Sequence, residues 1–378
     1  MMYLTRIDIP VILLISLHFG VPLMYYLYLK IKWLPKAWNI KKNKKYTPKI
    51  TIIVPTYNEV ELIARKLDNM AMQDYPRSHM HILIIDSASA DGTREEIFEW
   101  IKSNPDINVR VILENERRGK ATALNKALKE VDDDTEIIVI TDVDSFWPEK
   151  GTLRTVVSYF ADPVVGAVSC LKRPLSAGPA DIERSYRDYY NVVRLGESKT
   201  WSTPIFHGEL AAFRKEPLIM IGGFPEHIGA DDSHTATKIT IMGYRAITPD
   251  DIWCEELVPH KDYRKWRVRR AQHLIQHFMS VLKSMPESPK PFRSTLIIES
   301  YLHLINPWIL SAAIALLVYN AIFMASMVSV LLLVLGIVLF MVHRSFRAWI
   351  VTQLYLVLSF IRNLYTREIV WQKEAKLK

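Results

Sequence analysis

Residues 136–145 of the chain are Glu136-Ile137-Ile138-Val139-Ile140-Thr141-Asp142-Val143-Asp144-Ser145. The first half of this stretch is short, apolar and rich in β-branched residues, which predicts a buried strand. Asp142 and Asp144 follow the strand one residue apart, so both carboxylates can converge on one hard cation such as Mg²⁺ or Mn²⁺. Open α/β sheets bind their ligands beyond the carboxyl ends of the strands. The stretch therefore predicts a metal beside a ligand, although a solvated Asp-x-Asp turn would show the same pattern.

The residues on both sides of this stretch alternate between strand and helix patterns. Strands are predicted at residues 50–54, 82–85, 109–113 and 136–140, and helices at 59–72, 92–101 and 121–131. Strands that alternate with helices of this length predict βαβ units and a mostly parallel sheet. We therefore expect one α/β domain between residues 49 and 260.

The composition is typical of a membrane protein that carries a globular domain. Of the 378 residues, 49% are apolar, and the net charge is +8. The apolar excess lies at the two ends of the chain, and many basic residues lie beside it, within residues 30–45, 264–270 and 343–347. Basic residues beside apolar segments mark the cytoplasmic face of a membrane and its anionic lipids, which argues against nucleic acid as a partner. Two distant cysteines, Cys170 and Cys254, give no disulfide framework and fit a reducing compartment.

Three transmembrane helices are predicted from the apolar segments. Residues 9–29 are almost wholly apolar and about long enough to cross a bilayer. Arg6 is the one basic residue before them, whereas several lysines follow, so the N-terminus is predicted to lie outside and the α/β domain in the cytoplasm. Residues 301–342 are apolar for long enough to cross twice, with a turn near Asn320.

Two further segments are predicted to lie in the membrane interface. Residues 267–283 are amphipathic, and residues 348–361 are short and flanked by arginines, although the second segment could also span the membrane. The predicted organisation has five segments: an N-terminal transmembrane helix with a basic linker at 1–48, the cytoplasmic domain at 49–260, interfacial helices at 261–300, two transmembrane helices at 301–342, and an interfacial helix with a basic tail at 343–378.

Candidate ligand-binding residues, most of them polar, follow each of the four predicted strands. In chain order they are Pro55, Tyr57, Glu59, Asp86, Gly119, Lys120, Asp142 and Asp144. Tyr57 can stack on a base, Glu59 can accept hydrogen bonds from its N–H groups, and Lys120 supplies charge for phosphate. Because the carboxyl ends of parallel strands meet at one edge of a sheet, this set predicts a site for a nucleotide diphosphate and its metal, Mn²⁺ or Mg²⁺.

These motifs resemble those of the inverting glycosyltransferases of family 2. The resemblance rests on Pro55-Thr56-Tyr57-Asn58-Glu59, the loop at Asp86, Gly119-Lys120-Ala121 with Ala123-Leu124-Asn125, Asp142-x-Asp144, Phe206-His207-Gly208-Glu209, and residues 222–232. It covers residues 50–270, and the flanking spans look like those of a shortened cellulose-synthase-type protein. The resemblance implies a glycosyltransferase A-type fold, in which a mixed, mostly parallel sheet binds a nucleotide sugar, next to an α-helical transmembrane region.

The resemblance also implies a role for each matching residue. Donor binding falls to Pro55, Tyr57, Glu59, Asp86, Lys120, Asp142 and Arg269; metal binding to Asp144 with Asp142; acceptor binding to His207, Gly208, Glu209 and Asp231; and base catalysis to Asp232. The chemistry supports the last role independently, because inversion needs a carboxylate on the acceptor side to take the hydroxyl proton. Asp231 and Asp232 could instead cap the helix that follows them.

The chain departs from the family pattern in three places. Ser87 stands where a second aspartate is frequent, and His207 stands where cysteine or serine is frequent, either as an acceptor contact or as a buried structural histidine. The segment that resembles Gln-x-x-Arg-Trp contains Trp266, Arg267, Arg269 and Arg270. Arg270 replaces the tryptophan, which argues against processive synthesis, while Arg269 either clamps the diphosphate or faces lipid headgroups.

The function predicted from these residues is transfer of one hexose from a nucleotide sugar to a lipid-linked glycan, for protein glycosylation or for a glycolipid. GDP-mannose is the preferred donor, on the habits of lipid-linked pathways and not on any residue. A polyprenyl-phosphate hexose synthase and a short processive synthase that uses UDP-glucose remain open alternatives, as does a non-enzymatic component that binds or exports sugar nucleotides. A nucleotidyltransferase would need a glycine-rich phosphate loop after the first strand, and residues 55–59 do not provide one.

Overall fold

The structure is a computed structural model that describes residues 8–175, 180–259 and 261–367, with only the backbone of residues 180 and 181. Its strands are β1 (Ile50–Thr56), β2 (Met80–Ser87), β3 (Val109–Glu114), β4 (Ile137–Ile140), β5 (Ser145–Phe146), β6 (Val165–Ser169), β7 (Leu171–Pro174), β8 (Ala211–Arg214), β9 (Arg245–Ile247) and β10 (Trp253–Glu256). Its α-helices are α1 (Asp8–Tyr28), α2 (Ile63–Ala71), α3 (Thr93–Ser103), α4 (Lys120–Leu128), α5 (Thr152–Ser158), α6 (Ala180–Thr200), α7 (Lys215–Met220), α8 (Asp231–Ile241), α9 (Tyr263–Val281), α10 (Lys290–Ser300), α11 (Asn306–Phe323), α12 (Met327–Val342) and α13 (Arg344–Tyr365).

The main sheet is mixed and mostly parallel, as predicted. It has seven strands in the order β3-β2-β1-β4-β8-β6-β9. β8 pairs antiparallel with β4 and β6, whereas the other neighbouring strands pair parallel. A second sheet has the order β5-β10-β7. Its strand β5 directly follows the carboxylate loop at residues 142–144 in the chain.

Strand β4 is buried on both faces, which explains its continuous apolar run. Ile137 and Val139 belong to the hydrophobic core on one side of the sheet, and Ile138 and Ile140 belong to the core on the other side. A strand that is covered on both faces by helices needs apolar side chains at every position. β4 therefore carries the carboxylates of residues 142–144 out of the centre of the sheet.

The four predicted strands and three predicted helices of residues 49–140 are present, with shifts of a few residues at their ends. The largest shift concerns the helix predicted at 59–72, which begins at Ile63 as α2. Residues 59–62 instead form a turn in which the N–H groups of Leu62 and Ile63 both donate to the Glu59 carbonyl. This turn leaves Glu59 in a loop at the edge of the sheet.

Among the residues that the structure describes, two helical segments are long and apolar enough to cross a membrane: Asp8–Trp33 and Lys290–Phe323. The second segment runs through α10 and α11, so the predicted boundary at residue 300 lies inside one continuous helix. α12 has 16 residues, and α13 follows it at an angle of 107°. The two helices add one further candidate span if the bent pair is counted as a single span. The third predicted span and the membrane position of residues 348–361 therefore stay predictions, and residues 368–378 of the predicted tail lie outside the described residues.

Helix α9 contains most of the amphipathic segment that is predicted at 267–283. Met279 and the following Leu282 are exposed, but Ile275 and Phe278 are buried. The helix packs against α8 and α13, so buried residues lie on more than one side of it. α9 is thus a wall of the protein interior along part of its length, and its contact with a membrane stays a prediction.

Candidate active site

The carboxyl edge of the main sheet opens into a cavity of about 690 Å³. The predicted site residues that line it are Pro55, Tyr57, Glu59, Lys120, Asp142, Asp144, His207, Gly208, Glu209, Asp231, Asp232 and Arg269. Asp144 and Asp232 are 88 positions apart in the sequence, yet they line the same cavity. The structure therefore brings the predicted metal ligand and the predicted base together.

Asp86 is the predicted site residue that does not line the cavity. Its carboxylate is fully buried at the end of β2, where Oδ2 accepts hydrogen bonds from Nε of Arg94 at 2.5 Å and from the N–H of Ser89 at 3.1 Å. Ser87 and Asp91 form the cavity wall at this strand end instead. Its other oxygen, Oδ1, is buried without a hydrogen-bond partner, and the predicted contact of Asp86 with a base stays a prediction.

Lys66 holds the loop of residues 142–144 in place from the buried side. The sequence pattern did not indicate it as a site residue. Nζ of Lys66 donates to Oγ1 of Thr141 at 2.6 Å and to the carbonyl oxygen of Ser145 at 2.8 Å. Burial lowers the pKa of this fully buried lysine to about 8, and neighbouring acidic groups oppose that shift. The contacts fix both ends of the loop that presents residues 142–144.

Lys120 lies between Asp142 and Asp231 and contacts both carboxylates. It is the first residue of α4, and its Nζ lies 2.7 Å from Oδ1 of Asp142 and 3.9 Å from Oδ2 of Asp231. Burial lowers the pKa of Lys120, but Asp142, Asp231 and Asp232 outweigh burial and raise it. The ammonium group therefore stays charged between the two halves of the cavity.

Gly208 leaves the space that the pair of Lys120 and Asp142 occupies. A Cβ atom at position 208 would lie 2.7 Å from Oδ2 of Asp142 and 2.7 Å from Nζ of Lys120. Contacts of ordinary Cβ atoms begin at 3.4 Å, so a larger residue at position 208 would shift the side-chain ends of both Asp142 and Lys120.

Asp231 and Asp232 form the first turn of α8, and Ala230 occupies the N-cap position. Neither aspartate is therefore the capping residue, although Oδ1 of Asp232 accepts a hydrogen bond from the N–H of Ser233 at 2.7 Å. Burial and the charge of Asp231 raise the pKa of Asp232 to about 7, while Lys120 opposes the shift. A carboxylate with a pKa near neutrality is suited to remove a proton from a hydroxyl group.

Comparison with known proteins agrees with this geometry. A family model described as "Glycosyl transferase family 2" matches residues 51–222. The mannosyltransferase PcManGT from Pyrobaculum calidifontis, solved in complex with GDP-Man and Mn2+, is 48% identical, with a TM-score of 0.88 over 95% of this chain and 99% of that chain. The chain belongs to glycosyltransferase family 2. The resemblance stated from the sequence is thus confirmed, and so is the glycosyltransferase A-type sheet.

Two curated relatives are membrane-type polysaccharide synthases. The cellulose synthase catalytic subunit [UDP-forming] of Pseudomonas fluorescens (strain SBW25) is 29% identical over 217 residues, which is 54% of this chain and 28% of that protein. The poly-beta-1,6-N-acetyl-D-glucosamine synthase of Staphylococcus epidermidis is 25% identical over 278 residues, which is 71% of this chain and 66% of that protein. The chain thus aligns with less than two thirds of the length of each relative.

The carboxylates of Asp142 and Asp144 are chemically suited to bind a divalent cation together with the diphosphate of a nucleotide sugar. Within residues 8–175, 180–259 and 261–367, no group of three or more His, Cys, Asp or Glu side chains is placed to hold a metal ion. Asp142 and Asp144 nevertheless face the same cavity, and Mg²⁺ and Mn²⁺ commonly use one or two carboxylates and complete their shell with phosphate oxygens and water. The two aspartates would hold the ion, which would neutralise charge on the diphosphate.

A network of ion pairs that the sequence did not reveal forms the acceptor-side wall of the glycosyltransferase. Nζ of Lys172 lies 2.6 Å from Oε1 of Glu209 and 3.2 Å from Oε2 of Glu256. Glu256 also pairs with Arg187 at 2.7 Å and with Arg270, which lies 3.7 Å from Glu209. Arg270, the departure from the family pattern, is therefore held between two carboxylates.

His207 lies beside this network and lines the cavity. Burial and the positive charges of Lys172, Arg187 and Arg270 lower its pKa well below the usual range, so the imidazole is neutral. A neutral imidazole can donate one hydrogen bond and accept another. The geometry is compatible with the predicted contact to an acceptor hydroxyl, and that role stays a prediction.

Arg117 is a second site residue that sequence reasoning missed. Its guanidinium lies 4.0 Å from the ring centroid of Tyr57, and both residues line the cavity. The adjacent Arg118 has a side chain that is 67% exposed, and it pairs with Glu116 outside the cavity. The loop before α4 has no periodic pattern, so the sequence offers no signal that separates these two arginines.

Helices line the cavity together with the ends of the strands. The helical residues at its wall include Tyr186, Tyr190, His303, Thr352, Tyr355 and Leu356. His303 belongs to the candidate membrane span Lys290–Phe323, and residues 352–356 belong to α13. The cavity that contains Asp232 is therefore bordered by a candidate membrane span and by α13.

Proposed function

We propose that this family 2 enzyme transfers a single mannose from GDP-mannose to a lipid-linked glycan at the cytoplasmic face of a membrane. The observation that carries the proposal is one cavity, which is lined by Asp144 and Asp232 and also by Tyr355 and His303 of the helices. The donor carboxylates, the base and the apolar helices are thus arranged around one cavity.

The donor assignment is supported by the solved mannosyltransferase described above. That mannosyltransferase is 48% identical over nearly the whole of both chains and was solved with GDP-Man and Mn2+. Tyr57 and Arg117 would hold the base, and Lys120 and Arg269 would face the diphosphate, because all four line the same cavity. Asp142 and Asp144 would hold Mn²⁺ or Mg²⁺.

The reaction proposed for these residues is a direct displacement. Asp232 takes the proton from an acceptor hydroxyl while the oxygen attacks the anomeric carbon of mannose. The bond from that carbon to the diphosphate breaks on the opposite face, so GDP leaves and the configuration is inverted. The positive charge of Lys120 beside Asp142 and Asp231 keeps both carboxylates in position during this step.

The membrane arrangement is part of the same proposal. Asp8–Trp33 would cross the membrane with the N-terminus outside, because the basic residues follow the apolar segment. The α/β domain would then lie in the cytoplasm, where nucleotide sugars are available. α9 and α13 would bring the cavity close to the lipid surface, since both helices line it.

Product identification tests the proposal directly. The purified full-length protein would be incubated with Mn²⁺, a lipid extract, and GDP-mannose, UDP-glucose or UDP-N-acetylglucosamine, and the products identified by mass. We expect one hexose on a lipid-linked glycan with GDP-mannose. A ladder of products would indicate a processive synthase, and a single sugar on a lipid phosphate would indicate a polyprenyl-phosphate hexose synthase.

The variant Asp232→Asn tests the base. We expect transfer to fall by about 10²- to 10⁴-fold, the usual contribution of general base catalysis, while GDP-mannose still binds. Asp133→Asn is the matched control, because Asp133 is exposed and lies outside the cavity. Near-normal turnover of Asp232→Asn would remove this assignment.

A further inference from the structure

The buried ion-pair network on the acceptor side carries an excess of positive charge. Among the residues that the structure describes, its cations are Lys172, Arg187, Arg267 and Arg270, and its carboxylates are Glu183, Glu209 and Glu256. Four cations against three carboxylates leave one positive charge without a partner of its own. Burial of an unbalanced charge is costly, so such a network is suited to receive an anion.

Arg267 is the cation with the weakest pairing in this network. Its nearest carboxylate oxygen is Oε2 of Glu183 at 3.5 Å, whereas charge-assisted hydrogen bonds are typically about 2.7 to 2.9 Å long. Glu183 is already engaged by Arg187 at 2.7 Å and by the hydroxyl of Tyr263 at 2.9 Å. The guanidinium of Arg267 donates to a neutral group, Oγ1 of Thr352, at 3.2 Å.

The Nε–H donor of Arg267 has no acceptor among the described residues. Nε is buried without a hydrogen-bond partner, and the residue as a whole is only 7% exposed. The guanidinium lies 4.0 Å from the ring centroid of Tyr186, and Arg267, Tyr186, Thr352 and Tyr355 all line the cavity. An arginine fixed by an aromatic ring and a hydroxyl, with an unsatisfied donor, has the planar geometry that binds phosphate oxygens well.

The position of Arg267 indicates where such an anion would come from. Arg267 lies on α9 between Tyr186 of α6 and Thr352 of α13, and all three residues line the cavity. The donor diphosphate is expected beside Lys120 and Asp142. A phosphate bound by Arg267 would therefore be a second phosphate, and it would lie against α13.

We propose that Arg267 forms a phosphate subsite that binds the phosphate group linking the acceptor glycan to its lipid. This inference rests on the proposed lipid-linked acceptor and specifies how that acceptor is recognised. The phosphate would lie against Arg267 and Thr352 near the membrane, and the sugar beyond it would reach Asp232. The same chemistry would bind inorganic phosphate, which the experiment distinguishes.

The test compares two acceptors with the full-length enzyme in lipid nanodiscs. One acceptor carries the sugar on a lipid phosphate, and the other is a neutral glycolipid with the same sugar. For Arg267→Met, which keeps a long side chain and removes the charge, we expect KM for the phosphate-bearing acceptor to rise about 10- to 100-fold, or roughly 1.4 to 2.8 kcal/mol. KM for the neutral acceptor, kcat and GDP binding should change less than about threefold.

Two further variants keep the test informative if Arg267→Met folds poorly. Thr352→Val removes the hydroxyl that orients the guanidinium and should raise KM for the phosphate-bearing acceptor alone, by about threefold. Arg264→Gln is the matched control, because Arg264 is an exposed arginine one turn earlier on α9. It should leave both KM values unchanged.

Several outcomes would overturn the subsite. An equal rise of KM for both acceptors would show that Arg267 only maintains the structure of the path. Stabilisation of the wild type by inorganic phosphate, without competition against the lipid acceptor, would indicate a free-phosphate site instead. Absence of transfer to any lipid acceptor by the wild type would instead refute the proposed function, so the two failures are distinguishable.

Discussion

Substitution of Gly208 by alanine should disable the site without unfolding the protein. The added Cβ would lie 2.7 Å from Oδ2 of Asp142 and from Nζ of Lys120, whereas ordinary contact begins at 3.4 Å, so both side-chain ends must move by about 0.7 Å. Displacements near 1 Å in an active site can cost about 100-fold in rate. We therefore expect kcat to fall by about 30- to 100-fold and GDP-mannose binding to weaken. Overpacking of this kind destabilises folded proteins by about 1–3 kcal/mol.

The assay separates a displaced carboxylate from general loss of structure. Initial rates at saturating GDP-mannose and Mn²⁺ give kcat, and titration calorimetry gives the donor affinity with and without the metal. Gly151→Ala is the matched control, because no atom lies within 4 Å of a Cβ added at Gly151. The control should keep wild-type kcat and melting temperature. Wild-type turnover and donor affinity in Gly208→Ala would refute the reasoning that the pair of Lys120 and Asp142 needs its observed position.

Two other predictions follow from the site. First, kcat/KM should rise about tenfold per pH unit up to about pH 7 and then level off, because Asp232 must lose its proton to act as base and burial with the charge of Asp231 raises its pKa to about 7. A flat profile between pH 5 and 8 would contradict this role. Second, Arg117→Ala should weaken GDP binding by about tenfold, because it removes a guanidinium from the cavity beside Tyr57, whereas Arg118→Ala should not. Equal effects of the two substitutions in calorimetry would exclude a direct role of Arg117.

The donor half of the site was predictable because its residues lie at the ends of successive strands. Buried strands give a strong local pattern, and parallel pairing places their carboxyl ends at one edge of the sheet. The observed register sets Thr56 of β1 beside Asp86 of β2, as this argument requires. Strand position alone does not give side-chain direction, however. Asp86 is turned to Arg94, and Ser87 faces the cavity in its place.

The acceptor half was less predictable because its contacts join segments that are distant in sequence. Lys66 lies in an amphipathic helix, where a lysine usually marks the exposed face, yet it is fully buried under Thr141. Glu256 lies on β10, whereas its partner Lys172 lies on β7 of the same small sheet and its partner Arg187 lies on α6. No local period encodes such pairs. The antiparallel strand β8, which inserts between β4 and β6, was likewise invisible to a pattern of alternating strands and helices.

Arg270, which departs from the family pattern, has defined contacts in the structure. The position resembles one where processive relatives have a tryptophan that supports a growing chain. Here the guanidinium of Arg270 pairs with Glu256 and lies 4.7 Å from the ring centroid of Trp266, which is only 1% exposed. A stacking platform for a sugar needs an accessible ring face, and this ring is covered by a cation. The wall of the cavity therefore carries a charged group at this position and no open aromatic face, which agrees with the single transfer that we propose.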